Sequence, residues 1–265
     1  MKLSIIIVSW NVESLLRKCL KSIYKDPVGM MSEVFVIDNL SNDKTVEMVK
    51  TEFPQVKLIA NTVNAGFAKA NNQGIKEATG DYILLLNPDT ELFPDTLSKS
   101  IEFMAANYDC GIMGPQMLYA DRKLQPSVRR FPTIWPILLM LLKAPKILKN
   151  IKAINYYLAT DFDYSKLQEV DQVMGAYMMT ARKALDKVGL FDEKFFIWFE
   201  EVDLCLRARK AGFKIYYNPK AQIIHHGGQS FSQQKKITNQ KIFFQSALTY
   251  FLKNGFTKPI IKKQP

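Results

Sequence analysis

The segment Asn87-Pro88-Asp89 directly follows a short apolar run and ends in a carboxylate. The run, Tyr82–Leu86, has the length of a buried strand, and proline cannot donate a hydrogen bond to a sheet, so the strand must end there. We therefore expect Asp89 at the carboxyl edge of a sheet, where open parallel sheets bind ligands. A carboxylate at that edge suits a divalent cation that bridges nucleotide phosphates. The alternative is turn chemistry, with Asp89 capping a helix that begins near Pro94.

Three carboxylates, Glu200, Glu201 and Asp203, lie at the start of a predicted helix whose last turn is basic and which ends before Gly212. Acids in the first turn and bases in the last turn stabilise a helix for purely structural reasons. The same cluster also supplies candidates for general acid–base catalysis. Because successive helical residues point about 100° apart, only one of the two glutamates can face a cleft squarely.

The chain has two histidines, His225 and His226, which precede a pair of glycines at the end of a predicted strand. His225 could bind the same cation as Asp89. The alternative is a structural, hydrogen-bonded imidazole, which the sequence by itself favours.

Polar residues also follow the first three predicted strands. Trp10, flanked by Ser9 and Asn11, could stack on a nucleobase, or it could simply cover the core. Asp38 is placed to accept a hydrogen bond from a ribose hydroxyl or a base N–H. In the third unit, Gly66 opens a helix whose first N–H groups are available to an anion.

Four further candidates rest on less specific patterns. Asn64 comes two residues before the glycine of the third unit, and Asn72 lies two turns into the following helix, where a surface amide is the alternative. Arg129 and Arg130 follow an extended, proline-bounded segment and could reach a diphosphate. Otherwise these arginines belong to the basic surface.

The elements that must position these residues alternate between short apolar runs and helical patterns, from Leu3–Ser9 to a strand near residues 111–114. This alternation predicts an α/β fold with a doubly wound, mainly parallel sheet and helices on both faces. We expect one domain over residues 1–232, with a nucleotide-binding half at about 1–115 and an acceptor and catalytic half at about 116–232. A strand is expected over Asp171–Thr180, where Gly175 would allow close approach of a backbone or a sugar. Residues 233–265 are expected to form a basic, amphipathic, helical C-terminal extension.

The formal charge of +11 is concentrated in two segments. Between Asp121 and Asp161 there are eight basic residues and no acidic one, and after Asp203 there are twelve basic residues and no acid. No motif that reads nucleic acid accompanies them, which argues against a nucleic-acid partner. The apolar run 134–142, followed by lysines at 143, 146, 149 and 152, indicates either a segment on an anionic membrane surface or a packed helix with a solvated lysine face.

Cysteine usage bears on the compartment. Cys19, Cys110 and Cys205 occur singly within apolar patterns, without the spacing of a zinc site. Reduced core thiols predict a cytoplasmic protein, and the basic segments add the expectation of a peripheral position on the inner face of the cytoplasmic membrane. The apolar run at residues 3–8 is too short for a secretory signal, and no stretch reaches the length of a membrane span.

With these motifs in place, the sequence resembles the family 2 inverting glycosyltransferases of the GT-A fold, particularly the rhamnosyltransferase-like branch that builds bacterial surface polysaccharides. The resemblance covers roughly residues 3–230 and depends on blocks that occur in the family's order. These blocks are Ser9–Asn11, Val36–Asn39, Asn64–Ala68, Asn87–Asp89, Gly189–Asp192, Glu200–Asp203 and His225–Ser230.

The resemblance implies transfer of a sugar from a nucleoside diphosphate donor to a hydroxyl of a glycan or lipid-linked acceptor. It implies that Trp10 and Asp38 contact the base and ribose. It also implies that Asp89 binds Mg²⁺ or Mn²⁺, with His225 as a candidate second contact. Glu201 takes the position of the general base.

Two departures from the family pattern affect these roles. Asn87 stands where many relatives have aspartate, so this position could contact the donor without holding the metal. Glu201 stands where the family has an aspartate base, so Glu200 and Asp203 remain alternatives.

Two rival functions fit part of the sequence. A sugar nucleotidyltransferase would carry a Gly-x-Gly-Thr-Arg turn after the first strand, where this chain has Ser9-Trp10-Asn11. A degenerate transferase would only bind a nucleotide sugar. The joint presence of Asp89, the glutamate pair and His225 argues against degeneration.

Overall fold

The structure, a computed structural model, describes residues 2–142, 150–227, 236–257 and 259. The lysines at 143, 146 and 149 and residues 233–235, 258 and 260–265 of the predicted extension lie outside the described residues. The strands are β1 Leu3–Ser9, β2 Glu33–Asp38, β3 Lys57–Ala60, β4 Tyr82–Leu86, β5 Thr90–Leu92, β6 Cys110–Leu118, β7 Leu124–Gln125, β8 Val128–Arg129, β9 Gln168–Glu169, β10 Gln172–Val173, β11 Tyr177–Ala181 and β12 Lys214–His225. The helices are α1 Glu13–Ile23, α2 Pro27–Met30, α3 Thr45–Glu52, α4 Phe67–Glu77, α5 Thr96–Ala106, α6 Ile134–Leu141, α7 Lys152–Tyr157, α8 Arg182–Val188, α9 Glu200–Lys210 and α10 Lys236–Asn254.

The main sheet has the strand order β3-β2-β1-β4-β11-β6-β12-β5, with β7 added beside β6 and β9 beside β12. Strands β1 to β4 pair in parallel, as do β6 and β12. Strand β11 runs antiparallel between β4 and β6, and β5 runs antiparallel to β12. The predicted mainly parallel α/β sheet is confirmed.

Side-chain alternation along the strands produces two cores, one on each face of the sheet. In β1, Ile5 and Ile7 pack with α1, α3 and α5, whereas Ile6 and Val8 pack with α4, α9 and α10. A fully buried parallel strand needs an apolar residue at every position, which is why β1 reads as a continuous apolar run. The helices therefore cover both faces, as predicted.

The single strand predicted over Asp171–Thr180 is wrong. The backbone forms β10, which pairs with β8 in a separate two-stranded sheet, and then β11, which joins the main sheet. Between them, Met174 N–H donates to Ser127 O, and Ala176 O accepts from Asn87 N–H. These two bonds turn the chain around Gly175, directly beside the end of β4.

Helix α10, which belongs to the predicted C-terminal extension, packs on the domain. Its Ala247, Tyr250 and Phe251 are buried in the same core as Val202 of α9. Lys253 also forms ion pairs with Asp192 and Asp203. The C-terminal helix therefore supports the face of the sheet that carries α9.

The proposed division of the domain into two halves near residue 115 falls inside β6, so the two halves share one sheet.

Candidate active site

A cavity of ≈ 380 Å³ opens where β1 and β4 end, beside the turn around Gly175 and the start of α9. Its lining includes predicted site residues from five distant parts of the chain: Trp10, Asn64, Gly66, Asn87, Asp89, Glu200, Glu201 and His225. Sequence reasoning did not anticipate the apolar part of the wall, which comes from Val8, Phe67, Pro88, Met174, Ala176, Phe196, Ile197 and Trp198.

Asp89 and His225 face each other on one side of this cavity. Strand β5 follows Asp89 and pairs with the end of β12, so that Thr90 lies opposite His225 and the His226 N–H donates to Asp89 O. The His225 Nε2 atom lies 3.4 Å from Asp89 Oδ1, and both side chains are buried. On the other side of the ring, Nδ1 is 3.0 Å from Gln125 Oε1.

This pair fits a divalent cation. With Gln125 Oε1 accepting from Nδ1–H, the other ring nitrogen of neutral His225 carries a lone pair, and it has no hydrogen-bond partner among the described residues. A lone pair and a carboxylate oxygen that face each other in a buried site repel unless a cation lies between them. Among the described residues no cluster of three or more His, Cys, Asp or Glu is assembled to hold a metal. A cation bound by Asp89 and His225 would thus need diphosphate oxygens and water to complete its coordination.

Ser9 and Asp38 lie buried at the neighbouring strand ends. They are register partners on β1 and β2, and each keeps one side-chain oxygen, Ser9 Oγ and Asp38 Oδ1, without a hydrogen-bond partner in the described part of the chain. The other oxygen of Asp38 accepts from Ser41 N–H. Asn11 links the loops that follow β1 and β2, because its Oδ1 accepts a hydrogen bond from Asn42 N–H.

The turn before α4 is fixed by an amide that the sequence analysis missed. Asn39 Nδ2 donates to Gly66 O, and Asn39 Oδ1 accepts from Ala65 N–H. Gly66 has φ 81°, and a Cβ there would lie 2.6 Å from Phe196 O. Only glycine fits this contact, which brings the loop at Phe196 against the start of α4. The position of Asn39 beside Asp38 at a strand end was the signal available in the sequence.

Glu200 and Glu201 begin α9 and both line the cavity. The two residues before the helix, Trp198 and Phe199, have φ of 66° and 70°, which places the glutamates at a sharp change of chain direction. Burial, and then the charge of Glu201, raise the pKa of Glu200 well above that of an ordinary carboxyl. Burial also raises the pKa of Glu201, against the opposing effect of backbone N–H groups at the helix start. Because burial disfavours two negative charges side by side, ionisation of one glutamate makes ionisation of the other harder.

Besides Ser9, Asn11 and Asp38, four further predicted residues are absent from the lining of the main cavity. Asn72 is buried with its amide committed to structure: Nδ2 donates to Phe191 O and Oδ1 accepts from Phe191 N–H. The expectation that it contacts the donor is therefore wrong. Arg130 makes two hydrogen bonds to Asp161, and Arg129 lines a separate, smaller cavity.

Asp203 is the fourth, and its expected role as an alternative base is also wrong. It is fully buried and forms ion pairs with Arg207 and Lys253, with a hydrogen bond from Asn254. All its partners lie on α9 and α10, away from the cavity. Asp203 is a structural residue that joins these two helices.

A sequence profile described as Glycosyl transferase family 2 matches residues 4–189, which is more than half of the chain. This chain belongs to glycosyl transferase family 2. It is therefore a glycosyltransferase, and the resemblance inferred from the order of its motifs is confirmed.

Curated relatives are similar over most of the chain. An N-acetylglucosaminyl-diphospho-decaprenol L-rhamnosyltransferase of Mycobacterium tuberculosis is 26% identical over 212 residues, which cover 74% of this chain and 67% of that protein. Rhamnosyltransferase WbbL of Escherichia coli K12 is 26% identical over 262 residues, covering 95% of this chain and 90% of that protein.

Among solved structures, a mannosyltransferase from Pyrobaculum calidifontis in complex with GDP-Man and Mn²⁺ has a TM-score of 0.59 and 17% sequence identity. The match covers 94% of this chain and 70% of that one. At this identity the similarity establishes the GT-A fold only, and the chemistry must be argued from the residues of the site.

Proposed function

We propose that this glycosyltransferase is metal-dependent and inverting, and that it moves a sugar from a nucleoside diphosphate donor to a hydroxyl of a glycan or lipid-linked acceptor. The observation that carries the proposal is the shared cavity, which is lined by Asp89 and His225 and also by Glu201 from a different segment. A cation binder and a proton acceptor on one cavity are what a single displacement at a sugar carbon requires.

In the proposed reaction, the acceptor oxygen forms a bond to the anomeric carbon while the bond from that carbon to the diphosphate oxygen breaks. The hydroxyl proton passes to Glu201, and the bonding electrons leave with the diphosphate. Asp89 and His225 would hold Mg²⁺ or Mn²⁺, which neutralises the charge that develops on the leaving diphosphate. Attack from the face opposite the leaving group inverts the anomeric centre.

The donor's nucleoside is assigned to the corner formed by the first two strands. Trp10 supplies an aromatic face on the cavity wall, and Ser9 and Asp38 supply buried oxygens without partners at the adjacent strand ends. A ribose hydroxyl or a base N–H would satisfy the Asp38 oxygen. Asn64 and Asn87 line the same cavity and are assigned to donor contacts.

Calorimetric titration with a panel of nucleoside diphosphates, with and without Mn²⁺, tests the assignment. The wild-type protein should bind at least one of them more tightly when Mn²⁺ is present. Asp89→Ala should abolish the Mn²⁺-dependent gain, whereas the control Asp95→Ala, an exposed carboxylate paired with Lys99, should keep it. If nucleoside diphosphate binding depended equally on Mn²⁺ in wild type and Asp89→Ala, Asp89 would not be a metal ligand and its role would be that of a turn residue.

Rhamnose is our candidate for the transferred sugar, because two relatives of this chain are named as rhamnosyltransferases. A nucleoside diphosphate rhamnose should then be turned over faster than the glucose, galactose and N-acetylglucosamine donors. Release of nucleoside diphosphate in the absence of acceptor gives a direct readout for this comparison. Faster turnover of another donor would reject rhamnose and leave the reaction class intact.

We also propose that an anionic membrane surface is a partner. Helices α6 and α10 are neighbours, with Ile134 N–H donating to Phe256 O just after α10. Each helix exposes one apolar stripe at helical spacing, and we call the two stripes together the apolar surface: Trp135, Leu138 and Leu142 from α6, and Phe244, Leu248 and Leu252 from α10. The lysine-rich segment that follows α6 adds positive charge, although its residues 143–149 lie outside the described residues.

The most exposed members of this surface are Trp135 at 67%, Leu252 at 69% and Leu142 at 75% of their maximal area. No helix within the described ranges is long and apolar enough to cross a bilayer. Flotation with vesicles of phosphatidylcholine, with and without phosphatidylglycerol, tests surface binding. Replacing these three residues with serine should release the protein, whereas the control Met31→Ser, an exposed methionine elsewhere, should not. A wild-type protein that stays with neither vesicle contradicts the proposal.

A further inference from the structure

A second cavity of ≈ 140 Å³ adjoins the main one. The two cavities share Met174, Trp198 and Glu201 in their linings. Glu200 lines only the main cavity, so Glu201 is the carboxylate common to both. Glu201 therefore lies between a ligand in the main cavity and a ligand in the second one.

The second cavity contains polar groups that the fold leaves unused. Ser127 is 2% exposed, and no residue in the described ranges forms a hydrogen bond with its Oγ. Arg129 donates through Nη1 to Val128 O and Pro126 O, and within the described part of the chain it has no acidic partner at ion-pair distance. The adjacent Arg130 differs, because its guanidinium is bound by Asp161 at 2.7 and 2.8 Å.

The opposite wall is aromatic. The Phe243 ring lies 5.8 Å from the Trp198 ring and 5.4 Å from the Phe199 ring. Tyr157 also lines this cavity. Burial, followed by the negative charge of Glu201, raises the pKa of the Tyr157 phenol to about 12, and the positive charge of Arg129 lowers that pKa by a smaller amount. An apolar wall opposite a few convergent polar groups is the usual build of a small-ligand site.

We propose that this second cavity is the acceptor subsite: it seats the sugar ring that carries the attacking hydroxyl, and Arg129 binds a phosphate group attached to that sugar. The inference rests on the proposed function, because it takes Glu201 as the proton acceptor. A sugar in this cavity lies on one side of Glu201 while the donor lies on the other, so the hydroxyl can lose its proton as it attacks. A guanidinium without an acid partner matches a phosphate in charge and in fork geometry.

Ligand-observed NMR, with the main cavity saturated by a nucleoside diphosphate and diamagnetic Mg²⁺, tests this subsite. The probes are the 1-phosphates of glucose, galactose and N-acetylglucosamine, each compared with its neutral methyl glycoside. At least one sugar phosphate should bind wild type more tightly than the matching glycoside. Arg129→Gln should weaken that binding about tenfold or more, the loss expected for a hydrogen bond between charged groups.

Arg130→Gln is the matched control and should bind the sugar phosphate like wild type. Ser127→Leu is a second variant that fills the cavity without changing charge, and it should block both the phosphate and the glycoside. Both Arg129→Gln and Ser127→Leu should retain Mn²⁺-dependent nucleoside diphosphate binding, which also shows that they are folded.

Three results overturn the subsite: no sugar phosphate binds wild type, the phosphate gives no advantage over the glycoside, or Arg129→Gln binds as tightly as Arg130→Gln. The proposed function fails separately, if wild type binds no nucleoside diphosphate in the presence or absence of Mn²⁺.

Discussion

Glu201→Gln is the substitution that separates chemistry from binding most sharply. The amide has nearly the same shape as the carboxylate, and Glu201 Oε2 has no hydrogen-bond partner that the change would remove. An amide cannot accept the acceptor's proton. A positioned general base contributes roughly 10²- to 10⁴-fold in rate, or about 2.7–5.4 kcal/mol of barrier, and kcat should fall by that factor.

The assay compares kcat for sugar transfer with the dissociation constant of the nucleoside diphosphate. For Glu201→Gln we expect the dissociation constant to stay within about twofold of wild type, because the contacts assigned to the donor remain. Glu200→Gln is the matched control: it alters the neighbouring carboxylate, which lines only the main cavity. The reasoning is refuted if Glu201→Gln keeps its rate while Glu200→Gln loses it, since the base would then be Glu200.

The pH dependence follows from the same pair. The base must be ionised, so the rate should fall as the pH drops through the pKa of Glu201, which burial raises above the ordinary value for glutamate. For stability the raised pKa of Glu200 has the opposite consequence. The folded state holds this proton more tightly than the unfolded state, so stability decreases as pH rises from the ordinary carboxyl pKa to the raised one. Glu200→Gln should therefore melt at a higher temperature than wild type at neutral pH, and the advantage should vanish below the ordinary carboxyl pKa.

Three further outcomes are expected. Asp203→Ala should lower the free energy of unfolding by about 3–5 kcal/mol in a denaturant titration, because it leaves two cations without their buried partner; a stable but inactive variant would restore a catalytic role for Asp203. Gly66→Ala should lower the melting temperature and weaken nucleoside diphosphate binding, since the new Cβ would meet Phe196 O at 2.6 Å. Gln125→Leu should weaken Mn²⁺ binding about 10- to 100-fold by calorimetry, because the imidazole of His225 loses the bond that fixes its tautomer; unchanged Mn²⁺ affinity would contradict the orientation of the ring.

The parallel part of the fold could be predicted because its signals are local. An apolar run such as Leu3–Ser9, followed by a helical pattern, defines a strand and its crossover within about 20 residues, and right-handed crossovers then arrange the strands. The antiparallel insertion of β11 between β4 and β6 is different. It depends on the pairing of Tyr177 with Leu86 and of Met179 with Met113, and nothing near residue 177 encodes these partners.

The same distinction applies to the site. Asp89 and Glu201 could be singled out because each stands at the end of an element that the sequence itself delimits. Gln125 could not, because its role depends on a contact with His225, one hundred residues away. The prediction that Asn72 contacts the donor differs from the structure for another reason. Asn72 does lie on the predicted helix, but its amide forms hydrogen bonds with the backbone of Phe191.

The contrast between Glu201 and Asp203 connects the fold to the chemistry. Two residues along a helix turn the side chain through about 200°, so these carboxylates point to opposite sides of α9. The Asp203 side is fixed by Arg207 and Lys253, and Arg207 also donates to the carbonyl oxygens of Val188 and Leu190. This arrangement fixes the rotation of α9 about its own axis, and that rotation decides which glutamate reaches both cavities. The C-terminal helix, far from Glu201 in sequence, thereby helps to orient the residue that we propose as the base.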